Sequence, residues 1–187
     1  MALFKHFFKN RDGLSFVQIG ANDGVDFVRE RVLTFGWRGV FVEPIPHIFK
    51  RLKETYRGVG GLAFENVAIA ESAGTKDFHV CDGHEVCSGL EIVHPKVSRH
   101  PFHTIRVKCI TISQLFERYG IERLDVLVID TEGYDGKIIK SMDFNVRPKV
   151  LIYESKDLPD NDEVRALLKG QGYKFRPFSN NTVAYLK

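Results

Sequence analysis

Cysteine is scarce in this chain: three in 187 residues, an odd number that specifies no disulfide scaffold. No apolar run approaches the ~18 to 20 residues needed to cross a bilayer. The opening Met-Ala-Leu-Phe-Lys-His-Phe-Phe-Lys is broken by charge too early for a secretory leader. These absences predict a reduced, cytoplasmic setting and no membrane partner. Charge of one sign is missing as well. The formal net charge is +3, and the densest basic stretches, 5–11, 50–57 and 94–106, are each interrupted by apolar or acidic residues. A nucleic-acid surface needs Lys and Arg gathered on one face, so no nucleic-acid partner is expected.

Several signatures of other enzymes are lacking too. The first glycine-rich stretch, Gly20-Ala21-Asn22-Asp23-Gly24, does not match the Gly-x-Gly-x-x-Gly of dinucleotide sites, and no Gly-x-x-x-x-Gly-Lys-Ser/Thr occurs anywhere. There is no Asn/Asp-Pro-Pro-aromatic motif of the kind associated with amino-group methylation of bases, and no Cys-x-x-Cys pair for zinc. All three cysteines (Cys81, Cys87, Cys109) and five histidines (His79, His84, His94, His100, His103) fall between Lys76 and Cys109. Cys81-x-x-His84-x-x-Cys87 alone makes no convincing ligand set, and no metal is expected.

What is present is an alternation of short apolar runs with helical patterns. Ser15 to Ile19, Gly39 to Glu43, Ala63 to Ala70, Leu124 to Ile129 and Val150 to Tyr153 read as strands. Between them come helical spacings: Val25, Val28, Val32 and Phe35; Ile48, Phe49, Leu52 and Tyr56, entered through Pro44 and Pro46; Ser113 to Tyr119; Ile138, Ile139 and Met142; and Val164, Leu167 and Leu168 after Asp160 or Asn161. Lys174 to Phe178 and Thr182 to Leu186 close the chain as a hairpin across Ser-Asn-Asn. Strands alternating with helices predict an α/β fold with a mainly parallel sheet covered on both faces. Residues from about 71 to 108 break the rhythm, polar and weakly periodic. They predict a substrate-covering insertion in one domain spanning 1–187, with Ser88-Gly89-Leu90 and His94 in the covering segment.

In open α/β sheets, ligands sit at the carboxyl ends of the strands where strand order reverses. Three features gather there. Gly20 to Gly24 follows the first strand, with Asn22 at a place that tolerates left-handed backbone. Glu43, beside Pro44, ends the second strand about 20 residues on, where an acid meets ribose hydroxyls. Asp130-Thr131-Glu132-Gly133-Tyr134-Asp135 follows the most apolar strand. Glu132 and Asp135 are equally suited to the first turn of the next helix, whereas Asp130 ends a buried strand and its charge needs a partner.

VQIGANDG, FVEP, ENVAIA, VIDTEGYD and the closing NTVAY, spread from about Ser15 to Tyr185, resemble the FkbM-type methyltransferases, a branch of the class I S-adenosylmethionine-dependent enzymes. The resemblance implies a Rossmann-like, seven-stranded, mainly parallel sheet with an antiparallel C-terminal hairpin and helices on both faces. It implies S-adenosylmethionine as cofactor and O-methylation of a small-molecule hydroxyl on a sugar or secondary metabolite. By position, Gly20, Ala21, Asn22, Asp23 and Gly24 would hold the methionine part, Glu43 with Pro44 the ribose, and Asn66, Val67 and Ala68 the adenine. Asp130 would face the cofactor's ammonium group or the substrate. Many enzymes of the class open the first motif with an acid, where this chain has Gln18, a hydrogen-bonding group without charge. A hydroxyl acceptor needs a base or a metal to take its proton; Asp130, Glu132 and His84 are the candidates, unranked. The alternatives are methylation of nitrogen, including on RNA, and a cofactor-binding module without turnover.

Overall fold

A computed structural model of the protein describes Phe7 and residues 12–91, 101–156 and 158–187. Ten strands and five helices lie in these residues: β1 Ser15–Ile19, α1 Phe27–Phe35, β2 Arg38–Val42, α2 Pro46–Thr55, β3 Leu62–Glu65, β4 Ala68–Ile69, β5 Gly74–Cys81, β6 Phe102–Ile110, α3 Ile112–Arg118, β7 Val126–Ile129, α4 Asp135–Lys140, β8 Val150–Glu154, α5 Asn161–Gly170, β9 Lys174–Phe178 and β10 Asn181–Tyr185. Seven strands form one sheet in the order β3-β2-β1-β7-β8-β10-β9. The first five run parallel, and β10 enters antiparallel between β8 and β9. The chain moves outward from β1 to β3, then returns to lay β7 on the other side of β1. That reversal puts the switch point between β1 and β7, which is where such sheets hold ligands.

The apolar strands are buried on both faces, as their near-continuous hydrophobicity requires. Phe16, Phe41, Val126, Val128, Val150 and Ile152 meet α1 and Trp37 on one side. Val17, Ile19, Leu127, Ile129, Leu151 and Tyr153 meet α3, α4 and α5 on the other. Helix α2 feeds both clusters, with Ile48 in one and Leu52 in the other. Each such side chain contributes about 1.5–3 kcal/mol when fully buried, so the sheet fixes the strand tips firmly.

Three sequence expectations need correction. Residues 63–70 are two strands in two sheets: β3 pairs with β2, while β4 pairs with β6. The chain turns between them at Asn66, whose side-chain amide donates to the carbonyls of Glu43 (2.8 Å) and Pro44 (3.0 Å). Residues 71–108, polar and weakly periodic in sequence, contain regular structure. They hold the long strands β5 and β6, antiparallel from Gly74↔Cys109 to Cys81↔Phe102, in a three-stranded sheet with β4. The segment reads as polar because most outward positions of this hairpin are exposed, and only Phe78, Val80, Cys81, Val107, Cys109 and Ile110 of its two strands are buried. Val25 is 67% exposed and precedes its helix, which starts instead at the Asp26 cap. Met142 is likewise beyond the end of α4. Among the described residues, no helix is long and apolar enough to cross a membrane.

Candidate active site

The loop after β1 is built by internal hydrogen bonds. Gly20, Asn22 and Gly24 adopt φ of 76°, 48° and 75°, the left-handed region that Gly and Asn enter most easily. A methyl group on Gly20 would fall 1.8 Å from the Asp130 carbonyl oxygen, and one on Gly24 would meet Tyr56 and Leu52. Close packing of the protein on itself thus already requires both glycines. Glu43 fastens the loop to β2. One of its carboxylate oxygens accepts from the Asn22 amide at 2.9 Å, the other from Ile45 at 2.8 Å. It is 4% exposed, and burial pushes its carboxyl up to about 7 against the pull of those two amides. Asn22 and Asp23 cap the next amides along, while Thr55 and Tyr56 of the α2 end donate to the Asp23 and Gly24 carbonyls.

The loop after β7 is organised differently. Asp135, fully buried, accepts from the Thr131 amide, the Thr131 hydroxyl and the Glu154 amide, and so ties the β7 tip to the β8 tip. Asp135 is the buried acid of this loop, while Asp130, which follows the buried strand β7, keeps a solvent-exposed surface. Glu132 is held at φ 55°, followed by Gly133 at 101°. Asp130, Glu132 and Glu154 each bring a carboxylate oxygen within 4.8 Å of the others. Desolvation by the surrounding protein, then Asp135 and Asp26, push Asp130 up to about 6. Burial, then Glu154, Asp130 and Asp135, push Glu132 up to about 8. Like charges this close favour the protonated form of one another.

Between the two loops opens a cleft that is partly open to solvent. Gly20, Asn22, Glu43, Pro44, Val67, Ala68, Asp130 and Glu132 all line it, with Gly20 packed directly against Asp130. These eight of the expected site residues therefore share one wall-to-wall space. Gln18, Ala21, Asp23, Gly24 and Asn66 stand behind it rather than along it, shaping the loops. His84 is exposed at the head of a 3₁₀ turn, Glu85–Cys87, and does not line the cleft. Cys81, His84 and Cys87 form no metal-competent group; among the described residues the carboxylates of Asp130, Glu132 and Glu154 do. His94 and His100 lie outside the described residues.

The roof is a strap over 82–91, whose Glu85, Ser88 and Leu90 line the cleft. It pairs with β5 through reciprocal His79 and Gly89 amide bonds of 2.9 and 3.0 Å. Ionic ties extend it sideways: Glu85 accepts from His47 (2.5 Å) and Arg51 (2.6 Å) of α2, and Glu91 pairs with Lys137 of α4. Sequence reasoning passed over Glu85, Glu154 and Asp26. For Glu154 a signal existed, since it ends an apolar strand next to β7 as Asp130 does. Glu85 gave none, because its partners are 34 and 38 residues away.

A parallel β/α sheet with a reversed C-terminal strand, and a cleft at its switch point, defines the Rossmann-like methyltransferase class. Solved structures of that class share the architecture. A precorrin-6y C5,15-methyltransferase from Geobacter metallireducens superposes with a TM-score of 0.55 at 11% identity, covering 100% of this chain and 87% of that one. The human methyltransferase 10 domain containing protein gives 0.53 at 10% identity, covering 93% and 72%. Aeropyrum pernix fibrillarin with natively bound S-adenosyl-L-methionine gives 0.50 at 11%, covering 93% and 66%. At such identities the likeness is one of fold. Among curated proteins none matches the sequence significantly. The family model for the methyltransferase FkbM domain, however, matches residues 18–175. The chain belongs to the FkbM methyltransferases and is an S-adenosylmethionine-dependent methyltransferase.

Proposed function

We propose that this protein methylates oxygen, on a hydroxyl of a small molecule such as a sugar or secondary metabolite, with Glu132 as general base. The observation that carries this reading is the placement of Glu132: a carboxylate lining the cleft, raised to about 8 by burial and neighbouring acids. A base serves best when its pKa lies near the working pH. His84 lacks the corresponding position, being outside the cleft lining.

The cleft suits the cofactor. Its β2 and β4 side offers the apolar surface of Ile45, Val67, Ala68 and Ile69, while its β7 side carries acids, matching a molecule with an aromatic ring at one end and cationic groups at the other. Val67 and Ala68 would flank the adenine. Glu43, with two of its carboxylate's roughly four acceptor positions already taken, would keep the rest for ribose hydroxyls. Gly20, Asn22 and Asp130 would meet the amino-acid end. S-adenosylmethionine supplies a methyl group already activated by its sulfonium, so these residues have to align an acceptor and remove its proton. Residues 71–108, in a domain spanning 1–187, would cover the acceptor through Ser88 and Leu90.

Glu132→Gln tests the base. Turnover across a panel of sugar and metabolite hydroxyls is expected to fall by about 10² to 10⁴, with cofactor affinity retained and the acidic limb of the pH–rate profile lost. A variant that keeps its rate removes Glu132 from this role. Methylation of amines or RNA, with hydroxyl acceptors inert, would replace the O-methylation reading.

A further inference from the structure

Gln18 occupies the next-to-last position of β1 and is 2% exposed. Its side-chain amide donates to Asp26, while its Oε1 is buried with no hydrogen-bond partner. An orphaned buried acceptor is costly and uncommon. Asp26 stands at the N-cap of α1, where its other oxygen accepts from the Val28 amide at 2.7 Å. The Asp130 amide bonds the Ile19 carbonyl at 3.0 Å, which seats Asp130 over the same strand end.

Three acceptor groups therefore lie near the carboxyl end of β1: the Asp130 carboxylate on the cleft wall, and the buried Gln18 carbonyl and the Asp26 carboxylate just outside the lining. Among the described residues, neither acid takes part in an ion pair. They instead feel each other: the Asp26 charge contributes to the upward shift at Asp130, and desolvation, the leading cause, raises Asp26 as well. A cation carrying several N–H donors would satisfy all three groups, and a primary ammonium is the simplest one.

We propose that Asp26, steadied by Gln18, is the carboxylate that receives the α-ammonium of the cofactor's amino-acid end. The acid that position 18 lacks is thereby supplied from eight residues further along, on the first helix instead of the first strand. This assignment rests on the cleft being the S-adenosylmethionine site. Capping of α1 does not account for it alone, because a cap leaves the Gln18 carbonyl unexplained. Asn and Ser cap a helix about as well as Asp, so substitution separates the two roles.

The test is calorimetric binding of two ligands to the wild type, Asp26→Asn and Asp26→Ser, with melting temperature as a check of folding. S-adenosylhomocysteine has the amino-acid end; 5′-deoxy-5′-methylthioadenosine has the nucleoside and sulfur without it. Loss of a charged hydrogen-bond acceptor should weaken S-adenosylhomocysteine roughly ten- to a hundred-fold in both variants, leaving methylthioadenosine unchanged. Unaltered S-adenosylhomocysteine affinity, or an equal loss for both ligands, overturns the assignment while the cofactor reading stands. If the wild type binds neither ligand, both fall.

Discussion

The loops after β1 and β7 are adjacent, follow equally buried parallel strands and both enter left-handed backbone, yet they spend their polar groups in opposite ways. In the β1 loop, Glu43 takes two amides, Asn22 and Asp23 cap their successors, and Tyr56 and Thr55 answer the carbonyls. It is a closed cradle. In the β7 loop only Asp135 is spent on structure, and it holds Asp130, Glu132 and Glu154 together where their charges oppose one another. Proteins fold despite such crowding when the surrounding structure fixes it, and carboxylates crowded in this way are a feature of functional sites. The difference teaches that glycines and acids at strand tips divide between making a loop and serving a ligand. The partner list separates these uses where the motif does not.

The strongest way to break this contrast is Asp135→Ala. It removes the one fully buried carboxylate that two half-buried amides and a hydroxyl share, each costing up to about 1–3 kcal/mol when left unpaired. It should lower the melting temperature sharply and, by freeing the β7 tip, abolish turnover. If chemical denaturation shows a loss of only a few tenths of a kcal/mol, the β7 loop is not held by Asp135. Glu43→Ala comes next. Two amides lose their acceptor, but one belongs to a partly exposed residue that water can serve, so the stability loss should be about 1–2 kcal/mol. Cofactor affinity should fall by about 1–3 kcal/mol, measured by calorimetry. A variant that loses stability but keeps its affinity would make Glu43 a member of the cradle alone.

Much of this was legible in the sequence, because alternating apolar runs fix a parallel sheet and the acids at strand tips follow from where those runs stop. Glu43 and Glu132 were found that way. Asp130 and Asp135 were found together, but not that Asp135 is the fully buried one that ties the β7 tip to β8. A strand's last apolar residue shows where the chain leaves the sheet, while the direction a loop then turns depends on left-handed residues such as Glu132, which no propensity favours there. The β5–β6 sheet was missed for a related reason. A hairpin with few inward positions lacks clean alternation, and the pairing that builds it joins residues up to 35 apart, Gly74 with Cys109. Asp26 escaped notice because an N-cap looks the same whether or not a glutamine from the neighbouring strand leans on it.

The subtlest separation of the two loops lies in pH. A carboxyl whose folded pKa is raised holds a proton that the unfolded chain has already given up, so it lowers stability as pH rises between the two values. For Glu43 that window runs from an ordinary 4.5 to about 7, for Asp130 from 3.8 to about 6, and for Glu132 from 4.5 to about 8. Their contribution is complete below the ordinary carboxyl range and lost as pH climbs through 6, 7 and then 8. The ligand-free protein should therefore melt at progressively lower temperature across that range. Between pH 7 and 8 Glu132 is losing its proton while Glu43 gives up the last of its own, so the slope there is shared, and the part due to Glu132 belongs to the β7 loop. Glu132→Gln should make the slope shallower there and leave the decline at lower pH in place. Cofactor affinity should move the opposite way, rising over the same interval, because ionised carboxylates attract a cationic ligand and neutral ones do not. Melting curves of the two proteins at half-unit pH steps decide the point. Parallel curves through pH 8 would mean that Glu132 titrates with ordinary carboxylates, which removes the electrostatic ground for treating the β7 loop as the reactive one.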